Sequence, residues 1–302
     1  MCGIVAVASQ SNIISVLTEG LEHLEYRGYD SAGIAIINNE VIRSYKKEGN
    51  VSELTKSLDG KLNSNIGIAH TRWATHGKPS KENAHPHLSE NNIAIVHNGI
   101  IENYLDLKNK FFKDSTFVSE TDSEVLAHLI NVFLKENQIL DAVHMALAEV
   151  KGSYAIAVLD KNNPDKIVVA RNGSPLLIGF GNNENYIASD AQAVIKHTNK
   201  FVYLEDGDLA TVTADEVKIY DKDKNNIRRE TKKSNLSSES NSKGDFEHFM
   251  LKEIFEQPEA VKSTIQDRII NNTVPKEILG PNAEKFLDKF KVVQIIACGT
   301  SF

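Results

Sequence analysis

Short β-branched segments alternate with amphipathic segments up to about residue 220, and this alternation is the feature that most constrains the fold. Turn residues such as Asn38-Asn39, Asn172-Gly173 and Asp206-Gly207 separate the β-branched segments, so neighbouring strands are expected to pair antiparallel. The predicted strands are Gly3 to Ala8, Ala32 to Ile37, Val41 to Tyr45, Ile66 to His70, Ile93 to His97, Tyr154 to Leu159, Ile167 to Ala170, Leu176 to Ile178, Tyr186 to Ser189, Phe201 to Leu204, Leu209 to Val212 and Val217 to Tyr220.

Four segments carry apolar residues at spacings of three and four, which predicts amphipathic helices. They are Ile13 to Leu24, Asn103 to Phe111, Ser123 to Lys135 and Leu140 to Val150. Two pairs of helices and two blocks of strands favour a layered α/β or α+β fold, in which stacked sheets are covered by helices.

Composition excludes several classes of protein. The 302 residues, 41% of them hydrophobic, are enough for one sizeable core. No segment approaches the length of a membrane span, and the N-terminus lacks the basic and apolar regions of a secretion signal. Cys2 and Cys298 lie too far apart along the chain to indicate a disulfide framework, so the reducing cytoplasm is the expected compartment. A formal net charge of -7 argues against nucleic acid as the main partner.

The last quarter of the chain, from residue 221 onward, differs from the rest. Residues 221–245 are dominated by Lys, Asn, Ser, Asp and Glu and are predicted to be a linker or long surface loop. Residues 246–302 are predicted to form a helical connector, with Pro258 starting a second helical piece, and then a buried parallel strand from Val292 to Ala297. A buried strand cannot stand alone, so we expect it to begin a further domain that the chain does not contain.

Cys2 is the first candidate for chemistry. If Met1 is removed, this residue carries both a thiol and a free α-amine. An amine with a pKa of about 7.7 to 8.0 can accept the thiol proton without help from a histidine. The alternative is that Cys2 is a small apolar residue that only packs.

A cysteine that attacks an amide needs donors for the oxyanion, and His97-Asn98-Gly99 offers a side-chain amide and a backbone N–H at a predicted strand end. The alternative is an ordinary Asn-Gly hairpin turn.

A second polar cluster follows the strand that ends near His70. Arg72 is suited to binding a carboxylate bidentately, with hydroxyl and imidazole groups beside it, and residues 77–86 could act as a lid. Three histidines within residues 76–87 also raise the possibility of zinc, but their spacing fits no helical pair and we predict no metal.

Asp122 stands just before a predicted helix. It could complement the helix dipole beside the capping pair Thr121 and Glu124, or it could bind a substrate ammonium. In the second case Arg72 and Asp122 together describe an α-amino acid ligand.

Taken in order, these segments resemble the glutaminase domain of class II glutamine amidotransferases, in particular the branch whose ammonia serves amino-sugar synthesis. The resemblance covers almost the whole chain and rests on Cys2 to Val5, Tyr26 to Gly33, His70 to Gly77, His97 to Asn103, Ser119 to Asp122, Ser189-Asp190, Glu247 to Pro258 and Ala297 to Ser301.

The resemblance implies an α+β fold, a four-layer αββα sandwich of the N-terminal nucleophile hydrolase type, over residues 1–220. It implies that Cys2 is the nucleophile and that the Asn98 side chain and the Gly99 backbone N–H form the oxyanion hole. The other implied roles are glutamine binding for Arg72, Thr75, His76, His85 and Asp122, support of the N-terminus for Arg27, and a gate to an ammonia channel for Trp73.

The implied activity is hydrolysis of L-glutamine to glutamate and ammonia through a γ-glutamyl thioester, without a cofactor. In full-length relatives, which are expected to be homo-oligomers, a sugar-isomerase domain would use this ammonia to convert fructose 6-phosphate to glucosamine 6-phosphate. Thr300 and Ser301 resemble the start of its phosphate-binding region.

Three alternatives stay open at this stage. The chain could be the glutaminase half of another class II enzyme, such as a phosphoribosylpyrophosphate amidotransferase or an asparagine synthetase. It could be an N-terminal cysteine acylase that acts on other amides. If Met1 is retained, it could be a catalytically silent module that binds glutamine.

Overall fold

Antiparallel pairing joins the strands into two sheets. The computed structural model describes residues 2–113, 115–234 and 246–265 and the single positions 273, 289, 291, 292 and 294. The strands are β1 (Gly3–Ser9), β2 (Ser31–Asn38), β3 (Val41–Glu48), β4 (Ile66–Arg72), β5 (His87–Ser89), β6 (Ile93–Ile101), β7 (Gly152–Asp160), β8 (Ile167–Asn172), β9 (Leu177–Phe180), β10 (Glu184–Ala188), β11 (Lys200–Tyr203), β12 (Leu209–Val212), β13 (Val217–Tyr220), β14 (Asn226–Ile227) and β15 (Thr231–Lys233).

One sheet has eight strands in the order β15-β11-β9-β10-β1-β4-β2-β3, and the other has seven in the order β14-β13-β12-β8-β7-β6-β5. Each pair of neighbouring strands is antiparallel, which confirms the pairing predicted from the turn residues.

Six α-helices accompany these sheets in the described residues: α1 (Ile14–Leu24), α2 (Val51–Ser57), α3 (Tyr104–Phe111), α4 (Asp122–Leu134), α5 (Ile139–Ala148) and α6 (Phe249–Ile265). None of them is long and apolar enough to cross a membrane. The chain divides into two units, Met1–Asn241 and Ser242–Phe302, and of these helices only α6 lies in the second.

Side-chain alternation along the strands builds the layers of the first unit. Ile4 and Ala6 of β1 pack against the facing sheet, whereas Val5 and Val7 point the other way and pack with α1. In the same manner, the residues of β6 and β7 on the outer face of the second sheet pack against α3, α4 and α5. The result is the αββα sandwich that we predicted.

The structure differs from the predicted elements in several places. β6 continues past His97 to Ile101, so Asn98 and Gly99 lie inside a strand that pairs with β7 rather than in a tight turn. α2 and β5 were not predicted. The prediction that Pro258 starts a second helix is wrong, because α6 runs through this position.

The polar segment 221–245 is not wholly a linker. β14 pairs with β13 and β15 pairs with β11, and between them the Arg229 guanidinium binds the buried Asp208 carboxylate through two hydrogen bonds of 2.8 and 3.0 Å. Ile227 of β14 also packs against the core between the two sheets, so this part of the segment is held by one apolar side chain and one ion pair. The rest of the segment, residues 235–245, lies outside the described residues.

The predicted strand from Val292 to Ala297 also falls largely outside the described residues. Of its members the structure describes Val292 and Gln294, and both are exposed.

Four histidines are buried in the first unit. His70 lies in β4, His87 in β5 and His97 in β6, and His85 precedes β5; each is at most 5% exposed. The His70 and His85 ring centroids are 4.1 Å apart, and those of His85 and His87 are 4.5 Å apart. Burial lowers the pKa of His70 to about 3, and burial together with the neighbouring cations holds the pKa values of His85 and His87 well below their ordinary value.

We predict that the free energy of unfolding falls as the pH is lowered from about 7 to about 5. In the unfolded chain these histidines titrate near pH 6.5, so below that pH the unfolded state binds more protons than the folded state and stability is lost. Each histidine can lower the free energy of unfolding by up to about 1.4 kcal/mol for each pH unit of acidification in this window. Denaturant unfolding at several pH values measures the slope.

The variant His85→Phe should show a shallower slope, and His248→Asn, which changes an exposed histidine, should keep the wild-type slope. Equal slopes in all three proteins would contradict the prediction.

Candidate active site

A pocket of about 310 Å³ lies where the start of β1 meets the ends of β4 and β6 and the start of α4. This volume suits a small ligand. The pocket is lined by Cys2, Arg27, Arg72, Trp73, Thr75, His76, His85, His97, Asn98, Gly99, Ile100, Thr121, Asp122, Ser123, Ser153, Ser174 and Pro175. The structure therefore brings together ten of the predicted site residues; Thr300 and Ser301 lie outside the described residues.

The pairing of β1 with β4 places the thiol of Cys2. Gly3 is opposite Thr71 in this register, so Cys2 lies beside the residues that follow β4. Its Sγ accepts a hydrogen bond of 3.2 Å from the Trp73 N–H and lies 3.5 Å from the Trp73 carbonyl oxygen. Burial raises the pKa of the Cys2 thiol above its ordinary value, although the hydrogen bond from Trp73 opposes this effect. At neutral pH the thiol is therefore protonated, and its attack on an amide requires a base.

The Asn98 side chain approaches Cys2 from the second sheet. Its Nδ2 donates to the Cys2 carbonyl oxygen at 3.1 Å, and its Oδ1 lies 3.0 Å from Nε2 of His70. Gly99 follows with φ of +133°, and a Cβ at this position would lie 2.1 Å from the Ser153 carbonyl oxygen. Only glycine fits here, because both the backbone conformation and the close approach of β7 exclude a side chain.

Arg72 supplies a buried cation to the pocket. Its guanidinium donates to the carbonyl oxygens of His76, Gly77 and Lys78, at 3.1 Å for Gly77 and 3.4 Å for Lys78. The same group lies 3.9 Å from an oxygen of Asp30. The segment after β4 is thus folded around the arginine.

Asp122 supplies a buried anion. It is the first residue of α4, where the helix dipole favours a negative charge. Its Oδ2 accepts a hydrogen bond of 2.7 Å from the Ile101 N–H, and its Oδ1 lies 3.3 Å from the Ser123 hydroxyl. The predicted cap is present in part: the Thr121 hydroxyl accepts from the Glu124 N–H, but the Glu124 carboxylate accepts from the N–H groups of Val118 and Ser119.

Two further predicted residues flank the thiol. Trp73 is 49% exposed, and its ring meets that of Tyr29 edge to face at 5.4 Å. Arg27 donates to the Ser189 carbonyl oxygen at 3.3 Å and lies 3.5 Å from Asp190. Ser189 in turn accepts from the Ile4 N–H through its hydroxyl at 3.0 Å, so Arg27 acts on the start of β1 through Ser189.

The predicted polar residues of the opposite wall are also in place. His76 Nδ1 lies 3.4 Å from the Thr75 hydroxyl, and its ring contacts Tyr104 edge to face. Both ring nitrogens of His85 lack a hydrogen-bond partner among the described residues.

Sequence reasoning missed three residues that organise the pocket. His70 binds Asn98. His97 Nδ1 lies 2.8 Å from the Ser123 hydroxyl, and that hydroxyl lies 3.3 Å from Oδ1 of Asp122. Asp30 accepts from the Ala74 N–H and contacts Arg72. All three lie within motifs that were singled out, and their positions at or near the ends of the predicted strands, beside predicted site residues, were the available signal.

In the described part of the chain, no group of three or more His, Cys, Asp and Glu side chains is arranged to hold a metal ion. The histidines at 76, 85 and 87 instead make the ring and hydroxyl contacts given above, and His87 lies 3.0 Å from the Thr121 hydroxyl.

The chain is similar in sequence and in fold to known proteins. A glutamine amidotransferase domain model matches residues 70–196. Glutamine-fructose-6-phosphate aminotransferases (isomerizing) are similar over 100% of this chain, with 48% identity for the protein from Shewanella oneidensis and 46% for that from Escherichia coli K12. The chain spans 50% of the length of each of these two relatives.

Solved structures show the same fold. The glutamine phosphoribosylpyrophosphate amidotransferase of B. subtilis, complexed with ADP and GMP, matches with a TM-score of 0.65 and 26% identity over 75% of this chain and 50% of that one. A structure described as the allosteric regulatory enzyme of purine biosynthesis matches with a TM-score of 0.64 and 27% identity over 73% of this chain and 49% of that one. Residues 70–196 thus match a glutamine amidotransferase domain, and the chain has the αββα fold of the N-terminal nucleophile amidotransferases to which it is similar.

Proposed function

We propose that this chain hydrolyses L-glutamine to glutamate and ammonia through a thioester on Cys2, after removal of Met1. One observation carries the proposal: a thiol, a side-chain amide donor, a buried cation and a buried anion line a single pocket of about 310 Å³. The names of the relatives, which are glutamine-dependent aminotransferases, support the same substrate.

Arg72 and Asp122 bind the two charged groups of glutamine in this proposal. The guanidinium binds the α-carboxylate and the carboxylate binds the α-ammonium, since a cation and an anion that line the same small pocket suit the two oppositely charged groups on one α-carbon. Thr75, His76 and His85 complete the pocket wall. The amide end of glutamine then points toward Cys2.

The α-amine of Cys2 acts as the general base. Because burial raises the pKa of the thiol, little thiolate forms unaided at neutral pH, and a base on the same residue removes this obstacle. The Sγ–H proton passes to the amine as the bond between Sγ and the glutamine Cδ forms. The protonated amine then gives its proton to the departing nitrogen as the C–N bond breaks. Water hydrolyses the thioester and releases glutamate.

Asn98 and Gly99 stabilise the tetrahedral oxyanion. The Asn98 Nδ2 already faces Cys2, because it donates a hydrogen bond to the Cys2 carbonyl oxygen. Each donor to an oxyanion contributes about 2.7 to 4 kcal/mol of transition-state stabilisation.

We further propose that the ammonia serves glucosamine 6-phosphate synthesis from fructose 6-phosphate, as the names of the relatives indicate. Trp73, exposed beside the thiol, would gate its passage to a sugar-isomerase domain, in which Thr300 and Ser301 would bind phosphate. We assign the reaction to the cytoplasm, because the nucleophile must stay reduced and Cys2 is a free thiol here. A homo-oligomer is proposed for the full-length protein.

The substitution Cys2→Ala should abolish glutamate release from glutamine, because no other group in the pocket can form the thioester. Coupled glutamate dehydrogenase measures the release. Turnover of bulky acyl amides with no turnover of glutamine would instead favour the acylase alternative.

Activity should follow the fraction of molecules that lack Met1. Intact-mass spectrometry gives this fraction, and glutaminase activity is measured on the same sample. Full activity in a sample that retains Met1 would contradict the role of the α-amine, whereas an inactive sample that still binds glutamine would match the silent-module alternative.

While Met1 is retained, Cys2 should react with iodoacetamide more slowly at about pH 7 than the same residue in denatured protein, and its rate should keep rising above about pH 8.5. The cause is the raised thiol pKa of the folded state. Peptide mapping of the N-terminal peptide follows the reaction. A folded-state profile shifted toward lower pH would contradict this expectation.

The variants Arg72→Ala and Asp122→Asn should each raise the KM for glutamine about tenfold or more and change kcat less, since each loses a charge-assisted hydrogen bond. Arg43→Ala and Asp106→Asn change exposed residues outside the pocket and serve as matched controls. Steady-state kinetics separate the two parameters. A loss confined to kcat would contradict the assigned roles.

A further inference from the structure

His70 is buried beside the oxyanion donors but does not line the pocket. Its Nε2 lies 3.0 Å from Oδ1 of Asn98 and 3.1 Å from the carbonyl oxygen of His97. Both neighbours are acceptors, so the ring nitrogen between them must carry the proton and donate to both. The tautomer of His70 is therefore set by its two neighbours.

This donor fixes the orientation of the Asn98 amide. With Oδ1 bound to His70, Nδ2 faces Cys2 and donates to its carbonyl oxygen at 3.1 Å. In the reversed orientation the Asn98 NH₂ group would face the His70 N–H, and Oδ1 would face the Cys2 carbonyl oxygen. Both contacts would then be repulsive, one between two donors and one between two acceptors.

The surroundings of His70 favour the neutral ring with its proton on Nε2. Its ring is tilted by 37° against that of His85, with the centroids 4.1 Å apart, and its Nδ1 has no hydrogen-bond partner among the described residues. Burial lowers its pKa to about 3, so the ring stays neutral over the working pH range. It therefore has a single N–H group, and both acceptors share it.

We propose that His70 is a positioning residue whose Nε2–H holds the Asn98 amide with its nitrogen toward the oxyanion. This inference rests on the proposed function, because it assigns His70 a part in glutamine hydrolysis. His70 acts through Asn98 and does not contact Arg72 or Asp122 by any hydrogen bond described above. It should therefore affect kcat and leave the KM for glutamine almost unchanged.

The kinetic test compares His70→Leu, which removes the donor, with His70→Gln, whose amide N–H can reach the same acceptors. His70→Leu should lower kcat by about tenfold or more, and His70→Gln should recover most of the loss. KM should change less than about twofold in both. His128→Leu, which removes a half-buried imidazole that binds Ser89 outside the pocket, should keep the wild-type kcat. Equal losses in the Leu and Gln variants, or a change mainly in KM, would overturn the inference.

A second measurement does not depend on activity. Histidine ¹⁵N NMR of the full chain, with the His70 signals assigned from their absence in His70→Gln, should show a proton on Nε2 and none on Nδ1 at about pH 7. A proton on Nδ1 would overturn the inference even in an active enzyme. If the chain released no glutamate but showed the predicted tautomer, the proposed function would fail and the placement of the Asn98 amide would stand.

Discussion

The pocket depends on one pairing, that of β1 with β4. The register that sets Gly3 opposite Thr71 places the Cys2 thiol against the backbone of Trp73, where it accepts a hydrogen bond. The close packing leaves no space for a side chain at Gly3, where a Cβ would lie 2.7 Å from both the Thr71 hydroxyl and Leu24 Cβ. A change of register by one residue would turn Cys2 to the opposite face of the sheet and away from Asn98.

The electrostatics of the pocket follow from its burial. The thiol and the four buried histidines lose access to water, so their uncharged forms are favoured. Arg72 and Asp122 make hydrogen bonds to backbone groups. In the proposed function these two side chains bind the amino acid end of glutamine, and the thiol faces its amide end. The proposed nucleophile benefits from carrying its own base, because burial lowers the pKa values of His85 and His97 in the pocket wall and makes them weaker bases.

The sequence predicted stacked sheets covered by helices, because short β-branched segments, turn residues and two pairs of amphipathic helices indicate such layers. The resemblance to glutamine amidotransferases then implied the four-layer αββα order. Sequence reasoning missed α2, which is seven residues long and begins at the Asn50 cap, and β5, which is three residues long. It also misjudged residues 226–233, because the Arg229 pair with Asp208 joins groups far apart in sequence and leaves no local periodicity.

The residues of the site could likewise be predicted from the sequence only in part. Its principal residues could be named because the motifs that resemble glutamine amidotransferases carry them directly. The place of Asn98-Gly99 inside β6 could not be recognised locally, because the same dipeptide favours a hairpin turn. The part played by His70 depends on a contact between two sheets, and a histidine in a predicted strand gives no sign of its partner.

The proposed mechanism requires a covalent bond between the Cys2 sulfur and the γ-carbonyl carbon of glutamine. Acid quenching of the protein during turnover of glutamine, followed by mass spectrometry of its peptides, tests this most directly. We expect a γ-glutamyl adduct on an N-terminal peptide that begins at Cys2. Sustained glutamate release with the adduct on another residue, or from a Cys2→Ala variant, would contradict it.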